Sequence, residues 1–546
     1  MKRIAVILLC AVSSVPVVAG ISGALIGGTN VQAWHALFDT PGLAHALFLS
    51  VWTGVAATTI AIALAHAMLA LAATRSWIVR LRALTVPLLA TPHLALAIGL
   101  VLVLSPSGLL MRMLSPWATG FDQPPDWATV QDPLGLALIA GLVIKETPFL
   151  VLVLSGALAQ VNARRLMLQA STLGYGQMKS WFIAVAPALQ RQARFGMLAV
   201  MIFAVTNVEM ALPLAPTTPP PFSVLLLQWF TDADFAMRGQ AFAGAWLLLG
   251  ATLVLVGVAF GVTHAMHWIW RTVATSGARA IDDAPLARTI GSAFAVVLGL
   301  GALALAALFL RATGGAWRFP QVLPQTLSLR MWRAVAPDLG ASASTTILLG
   351  FLTALISVAL VLCAAEALHD RPVARRRIGV LLFVPLMLPQ MAFLFGWQVV
   401  LVHMRLDGTL LAVLWSHATF ALPYVWAALA EPRAELNPGY LTSARLLGAG
   451  RVRAWLTVIA PLLLRSGLLA FALAFSVSVA VYLPTLFAGA GRVATLATEA
   501  AASIASGNVR SASASAAVQA LAPLLAFAGA LWLSHAVYRN RRGVPR

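Results

Sequence analysis

The chain has 546 residues, 60% of them apolar and 10% charged, with a mean hydropathy of +0.89. A soluble chain of this length cannot hide that much apolar surface, which excludes an ordinary water-soluble enzyme and points to a protein covered by lipid. The formal charge of +19 comes largely from Arg residues scattered between apolar runs, the pattern of membrane topology rather than of nucleic-acid binding.

A run of about 20 apolar residues crosses a hydrocarbon layer ~30 Å thick. Runs of that kind lie near 4–28, 47–73, 83–104, 134–160, 193–214, 240–268, 290–310, 342–366, 379–402, 409–430, 466–488 and 513–537. That predicts an all-α polytopic protein with about twelve spans. The first run follows Lys2-Arg3, as in a signal peptide, but it exceeds a signal core in length and is read as a retained span. Arg164, Arg165, Arg191, Arg194, Arg375, Arg376, Arg377, Arg445, Arg451 and Arg453 fall on one side together with both termini. The positive-inside bias places that side in the cytoplasm. Cys10 and Cys363 both lie in apolar runs, so neither a disulfide nor a thiolate metal site is expected.

Two of the cytoplasmic segments repeat one pattern, 274 residues apart. Leu168-Gln169-Ala170-Ser171-Thr172-Leu173-Gly174 runs on to Trp181 and Pro187; Thr442-Ser443-Ala444-Arg445-Leu446-Leu447-Gly448 runs on to Trp455 and Pro461. Leu166, Ala170 and Leu173 share one stripe of a short helix, as do Tyr440, Ala444 and Leu447. Gly174 and Gly448 stand where each helix stops, since Gly enters left-handed geometry without steric cost. The expected product is a helix–turn–helix lying along the membrane surface.

The repeat reaches further. Val86-Pro87 and Pro92 in the third span match Val384-Pro385 and Pro389 in the ninth; Pro148 matches Pro423, and Leu212-Pro213 matches Leu483-Pro484. Matches in one order indicate a duplicated six-span unit. The halves are read as 1–275 and 290–546, joined by a polar cytoplasmic linker at 276–289 that holds Asp282-Asp283 and Pro285. An even span count per half makes them parallel repeats, a transporter geometry.

Ala-x-x-Leu-Gly followed by Pro thirteen residues later, in the loop after the fourth span of six, resembles the EAA loop of ATP-binding-cassette importer permeases. Two copies in one chain resemble the fused double permeases of iron(III), thiamine and related uptake systems. The resemblance covers nearly the whole chain and implies a type I importer-like permease of the bacterial inner membrane, with both termini cytoplasmic. It implies that Ala170, Leu173, Gly174 and Pro187, and Ala444, Leu447, Gly448 and Pro461, couple it to a cytoplasmic ATPase present in two copies. A periplasmic solute-binding protein would deliver the solute. The family's leading Glu is Leu168 in one copy and Thr442 in the other, and its next Ala is Gln169 and Ser443.

No phosphate-cradling G-x-x-x-x-G-K-[ST] loop occurs, and the three lysines are Lys2, Lys145 and Lys179, so hydrolysis of ATP falls to a separate subunit. No cofactor, metal-ligand spacing or nucleophile–base set is indicated. Ionisable groups inside spans are costly and mark function. Glu209 and Glu146 are the candidate substrate-path residues, and Glu209 suits attraction of a cationic solute. His93, His403 and His417 read as polar spots at helix contacts, and Glu366 as a marker of a cytoplasmic span end. The rival readings are an ion-coupled secondary transporter with twelve spans and a membrane-embedded transferase. Few acidic groups support the first, and Asp282-Asp283 is too isolated for the second.

Overall fold

A computed structural model describes residues 2–75, 78–158, 160–275 and 284–539. The described residues are mostly helical, and among them the sole β-type pairing is an antiparallel bridge between Gly314 and Leu327. The principal helices are α1 (Lys2–Gly27), α2 (Leu43–Arg75), α3 (Ile78–Ala90), α4 (His93–Leu104), α5 (Leu136–Leu158), α6 (Ala163–Thr172), α7 (Ala186–Val205) and α8 (Ala236–Thr275). They continue with α9 (Ala284–Thr313), α10 (Arg330–Ala367), α11 (Pro372–Met387), α12 (Gln390–His403), α13 (Leu410–Glu435), α14 (Gly439–Leu446), α15 (Ala460–Ala480) and α16 (Val509–Tyr538).

Among the described residues, ten helices are long and apolar enough to cross a membrane, or eleven if α11 and α12 form one span. The protein is therefore an all-α polytopic membrane protein. Two differences from the sequence reading have physical causes. The third span of each half is not continuous: α3 gives way to α4 at Thr91-Pro92, and α11 to α12 at Leu388-Pro389, the latter pair bent by 94°. Pro supplies no N–H and pushes the residue before it out of helical geometry, so both helices restart after it. The expected span near 193–214 is α7, whose first turns carry Gln190, Arg191, Gln192 and Arg194 and dilute its apolarity.

Packing separates the chain into two compact units. One comprises residues 1–26, 333–503 and 515–546; the other comprises 27–332 and 504–514. Each unit thus takes its first span from the other half of the sequence: α1 joins the unit of α10–α15, and α9 joins the unit of α2–α8. The sites of entry match. Gly99 on α4 takes α9 so closely that a Cβ would lie 2.8 Å from the Ala304 carbonyl carbon. Gly396, at the same place on α12, takes α1, and a Cβ there would lie 2.6 Å from the Ala24 amide nitrogen. Within lipid, where burial of apolar surface adds little, such close backbone approach is a main source of helix association. Of the linker read at 276–289, residues 276–283 lie outside the described residues, and 284–289 open α9.

Candidate functional site

The two repeated segments close on the same pair of backbone bonds. In the first, Asn162 caps α6 by accepting the Arg165 N–H at 3.3 Å, and the helix closes at Leu173. Gly174 follows with φ of +84°; its N–H donates to Ser171 O at 3.0 Å, and the Tyr175 N–H donates to Ala170 O at 3.4 Å. In the second, α14 closes at Leu447 and Gly448 has φ of +90°. There the Gly448 N–H donates to Arg445 O at 3.0 Å and the Ala449 N–H to Ala444 O at 3.1 Å. This pair of bonds is the Schellman closure, which satisfies carbonyls the helix end leaves open and needs a left-handed residue just past the end. The repeated Ala supplies the outer carbonyl and the repeated Gly supplies the turn.

Gly176 and Gly450 then start short helices, Gln177–Ser180 and Arg451–Ala454. Each runs straight into one turn of π-helix, Trp181–Val185 and Trp455–Ile459, before α7 and α15. The Ala186 N–H reaches back to Trp181 O, and the Ala460 N–H to Trp455 O, five residues earlier. Pro187 and Pro461 come next. A proline donates nothing and crowds the carbonyl four residues before it, and a wider turn relieves that crowding. Spacing in the sequence located the Trp and the Pro but carried no sign of the π-turn between them.

The tips are exposed and partly apolar. Leu168 and Leu173 are more than half exposed, while Leu446 and Leu447 are 83% and 89% exposed. The seating of the two copies differs. In the first, Ala170, Met178 and Trp181 are buried, and Gln177 Nε2 donates to Ala70 O at 2.9 Å, fixing the segment to α2. In the second, α14 has no buried residue and Trp455 is half-buried.

The charges expected inside the membrane converge. Glu146 on α5 and Glu209, in the break after α7, are both buried, and His93 at the start of α4 lies between them. His93 Nε2 is 3.4 Å from Glu146 Oε1, and His93 Nδ1 is 3.8 Å from Glu209 Oε2. Phe203 on α7 faces the imidazole, with ring centroids 4.7 Å apart. Lys145 turns away from this pairing. Its Nζ donates to Leu88 O and Leu89 O, each at 3.0 Å, and to Thr91 O, all at the break of the third span. Those are carbonyls that Pro92 and the break leave without helical donors.

Sequence reasoning assigned Glu146 and Glu209 to one path but left His93 as a polar spot at a helix contact. The missing signal was its position directly after Pro92, which places it at the mouth of the break. His417 does sit at a helix contact, with its ring nitrogens 2.7 Å from Ser478 Oγ and 2.8 Å from Thr485 Oγ1. The places of Glu146 and Glu209 in the second half hold Ala421 and Ala480, so no matching charge cluster forms there. Glu366 lies on the last turn of α10, paired with Arg433. Among the described residues no group of His, Cys, Asp or Glu has the arrangement to hold a metal ion.

The fold is that of a helical membrane protein with spans broken at matching prolines, a buried charge cluster and two surface segments closed by the same pair of bonds. The chain is similar to the inner membrane ABC transporter permease protein YnjC of Escherichia coli (strain K12): the two are 29% identical over 506 residues, covering 91% of this chain and 90% of that protein. That likeness over nearly the full length supports the ABC transporter permease family, and the relative is an inner membrane protein. No protein-family model matches the chain.

Proposed function

We propose that this protein is the permease subunit of an ATP-driven, binding-protein-dependent importer, with both transmembrane halves in one polypeptide. The observation that carries the reading is the duplicated segment: two copies closed by the same backbone bonds, each with exposed leucines at its tip and each leading through a π-turn into a span. A surface built twice suits a partner with two equivalent sockets, and the sequence carries no phosphate-cradling G-x-x-x-x-G-K-[ST] loop. A separate pair of ATPase subunits would seat on Ala170, Leu173 and Gly174 and on Ala444, Leu447 and Gly448. Pro187 and Pro461 set the angle at which each segment joins its span. Nucleotide-driven movement of both segments would then switch the path between inward-open and outward-open states.

On this reading both termini are cytoplasmic, and the outer loops receive a solute-binding protein. One of those loops is held firmly: Arg112 Nη1 donates to Arg318 O at 2.9 Å and to Gln321 O at 3.0 Å, and its guanidinium stands over the Trp317 ring at 5.0 Å. Glu146 and Glu209, with His93 between them, would line the solute path and favour a positively charged solute. The test is co-purification of the chain with candidate ATPase and solute-binding subunits from its source, before and after Leu446→Asp and Leu447→Asp. Loss of the ATPase with retained membrane insertion is the expected result. An ATPase that binds the double variant as tightly as the original chain would refute the docking assignment.

A second reading, an ion-coupled secondary transporter, draws support from the buried His93–Glu146–Glu209 cluster, which could carry protons. Uptake that survives ATP depletion and collapses with an uncoupler would favour it.

A further inference from the structure

Arg433 stands near the end of α13 and is 2% exposed. Every arm of its guanidinium is engaged. Nε donates to Glu366 Oε2 at 2.8 Å, Nη2 pairs with the same oxygen at 2.6 Å, and Nη1 reaches His369 Nδ1 at 2.9 Å. Arginine only donates, so Nδ1 of His369 is the acceptor and the ring proton sits on Nε2. Glu366 belongs to the last turn of α10, and His369 to the turn between α10 and α11. A guanidinium buried this deeply is costly unless its donors are met, so the end of α13 is held against the end of α10.

Only residues 436–438 separate α13 from α14, the first helix of the second repeated segment. That segment buries Ala454 and Ile459 but has no buried residue on α14 and no match for the Gln177 bond. Arg451, at the place of Gln177, is exposed, and among the described residues no side-chain hydrogen bond of 439–459 reaches beyond the segment and its flanks. In the first half the place of Arg433 is taken by Leu158, which packs against an apolar core that also holds Met178 and Trp181. One copy is therefore seated along its length by apolar contacts and Gln177. The other is held at its root by an ionic clamp.

We propose that Arg433 is the positioning residue of the second coupling segment, and that Glu366 and His369 carry displacement of residues 439–459 into α10. The two segments are thus not equivalent: the first is seated along its own length, whereas the root of the second is tied to the end of α10 by a buried guanidinium. The proposal rests on the coupling reading, but its structural half can be tested without any partner.

The experiment is amide hydrogen exchange on the full chain in lipid nanodiscs, comparing the original with Arg433→Gln and with the milder Glu366→Gln, which keeps an acceptor oxygen. Exchange over 436–450 should quicken roughly tenfold in Arg433→Gln, while 162–176 stays as it was. Should Arg433→Gln fail to insert, Glu366→Gln is read the same way with a smaller rise. No change over 436–450, or an equal rise in both segments, overturns the clamp. The functional half uses the co-purified ATPase. Arg433→Gln should leave its binding intact and cut the stimulation of its hydrolysis, and Arg433→Lys should restore part of the stimulation. Unchanged stimulation overturns the transmission role. An ATPase that never binds the original chain refutes the coupling reading and the transmission role together, and the exchange result still decides the clamp.

Discussion

His93 and Glu146 face each other across 3.4 Å inside the membrane-spanning region, and Glu209 reaches the other imidazole nitrogen at 3.8 Å. One side chain at the break of the third span thus joins α4, α5 and the break after α7. On the proposed function, Glu146→Gln or Glu209→Gln should lower uptake of a cationic solute by at least about tenfold, because the local charge that draws it is lost. Neither change should alter binding of the ATPase. Uptake by the variant at the original rate would remove both residues from the path.

Gly448 gives a clean test of the helix closure. Its φ is +90°, and a Cβ there would meet nothing within 4 Å, so the cost of Gly448→Val is backbone strain without a clash. Strain of that kind is about 1–2 kcal/mol for an ordinary residue and greater for a β-branched one. The chain should insert and unfold near its usual temperature while stimulation of the ATPase falls. Gly174→Val should act in the same direction at the first copy.

Lys145 should prove structural. Replacing it with Met leaves the carbonyls of Leu88, Leu89 and Thr91 without their donor in a setting that excludes water. Each buried group left unmet costs about 1–3 kcal/mol, so thermal unfolding in detergent should begin well below that of the original chain. An unchanged midpoint would mean that water or lipid reaches the break.

Gly396→Leu should be severe. The Cβ alone would stand 2.6 Å from the Ala24 amide nitrogen, backbone that cannot step aside without moving α1. The expected outcome is loss of folded protein on size-exclusion chromatography. Gly467→Leu, at a helical position where a Cβ meets nothing within 4 Å, should be tolerated and serves as its control.

How legible this was depends on whether the backbone or the tertiary contact made the demand. The surface segments were readable because Schellman closure requires Gly at 174 and 448, and the proline requires its place in the span. Local chemistry of that sort leaves residues at fixed spacing. Pro92 and Pro389 were visible as a matched pair, yet hydropathy carried the spans straight through them, since apolar content does not register a missing N–H. His93, the partners of Lys145 and the Arg433 clamp were hidden because each joins residues more than 50 positions apart. Nothing in the sequence showed α1 and α9 changing places either, because the close crossings at Gly99 and Gly396 are tertiary contacts.

That crossing governs how the protein can be made. Cutting the gene in the connector would leave each product without one span of its own bundle and with a stray one that belongs elsewhere. Neither fragment should survive alone in the bilayer, whereas the two synthesised together should find each other and restore the whole. Continuous translation of both halves guarantees that the exchanged pieces appear in equal number, at the same place and time.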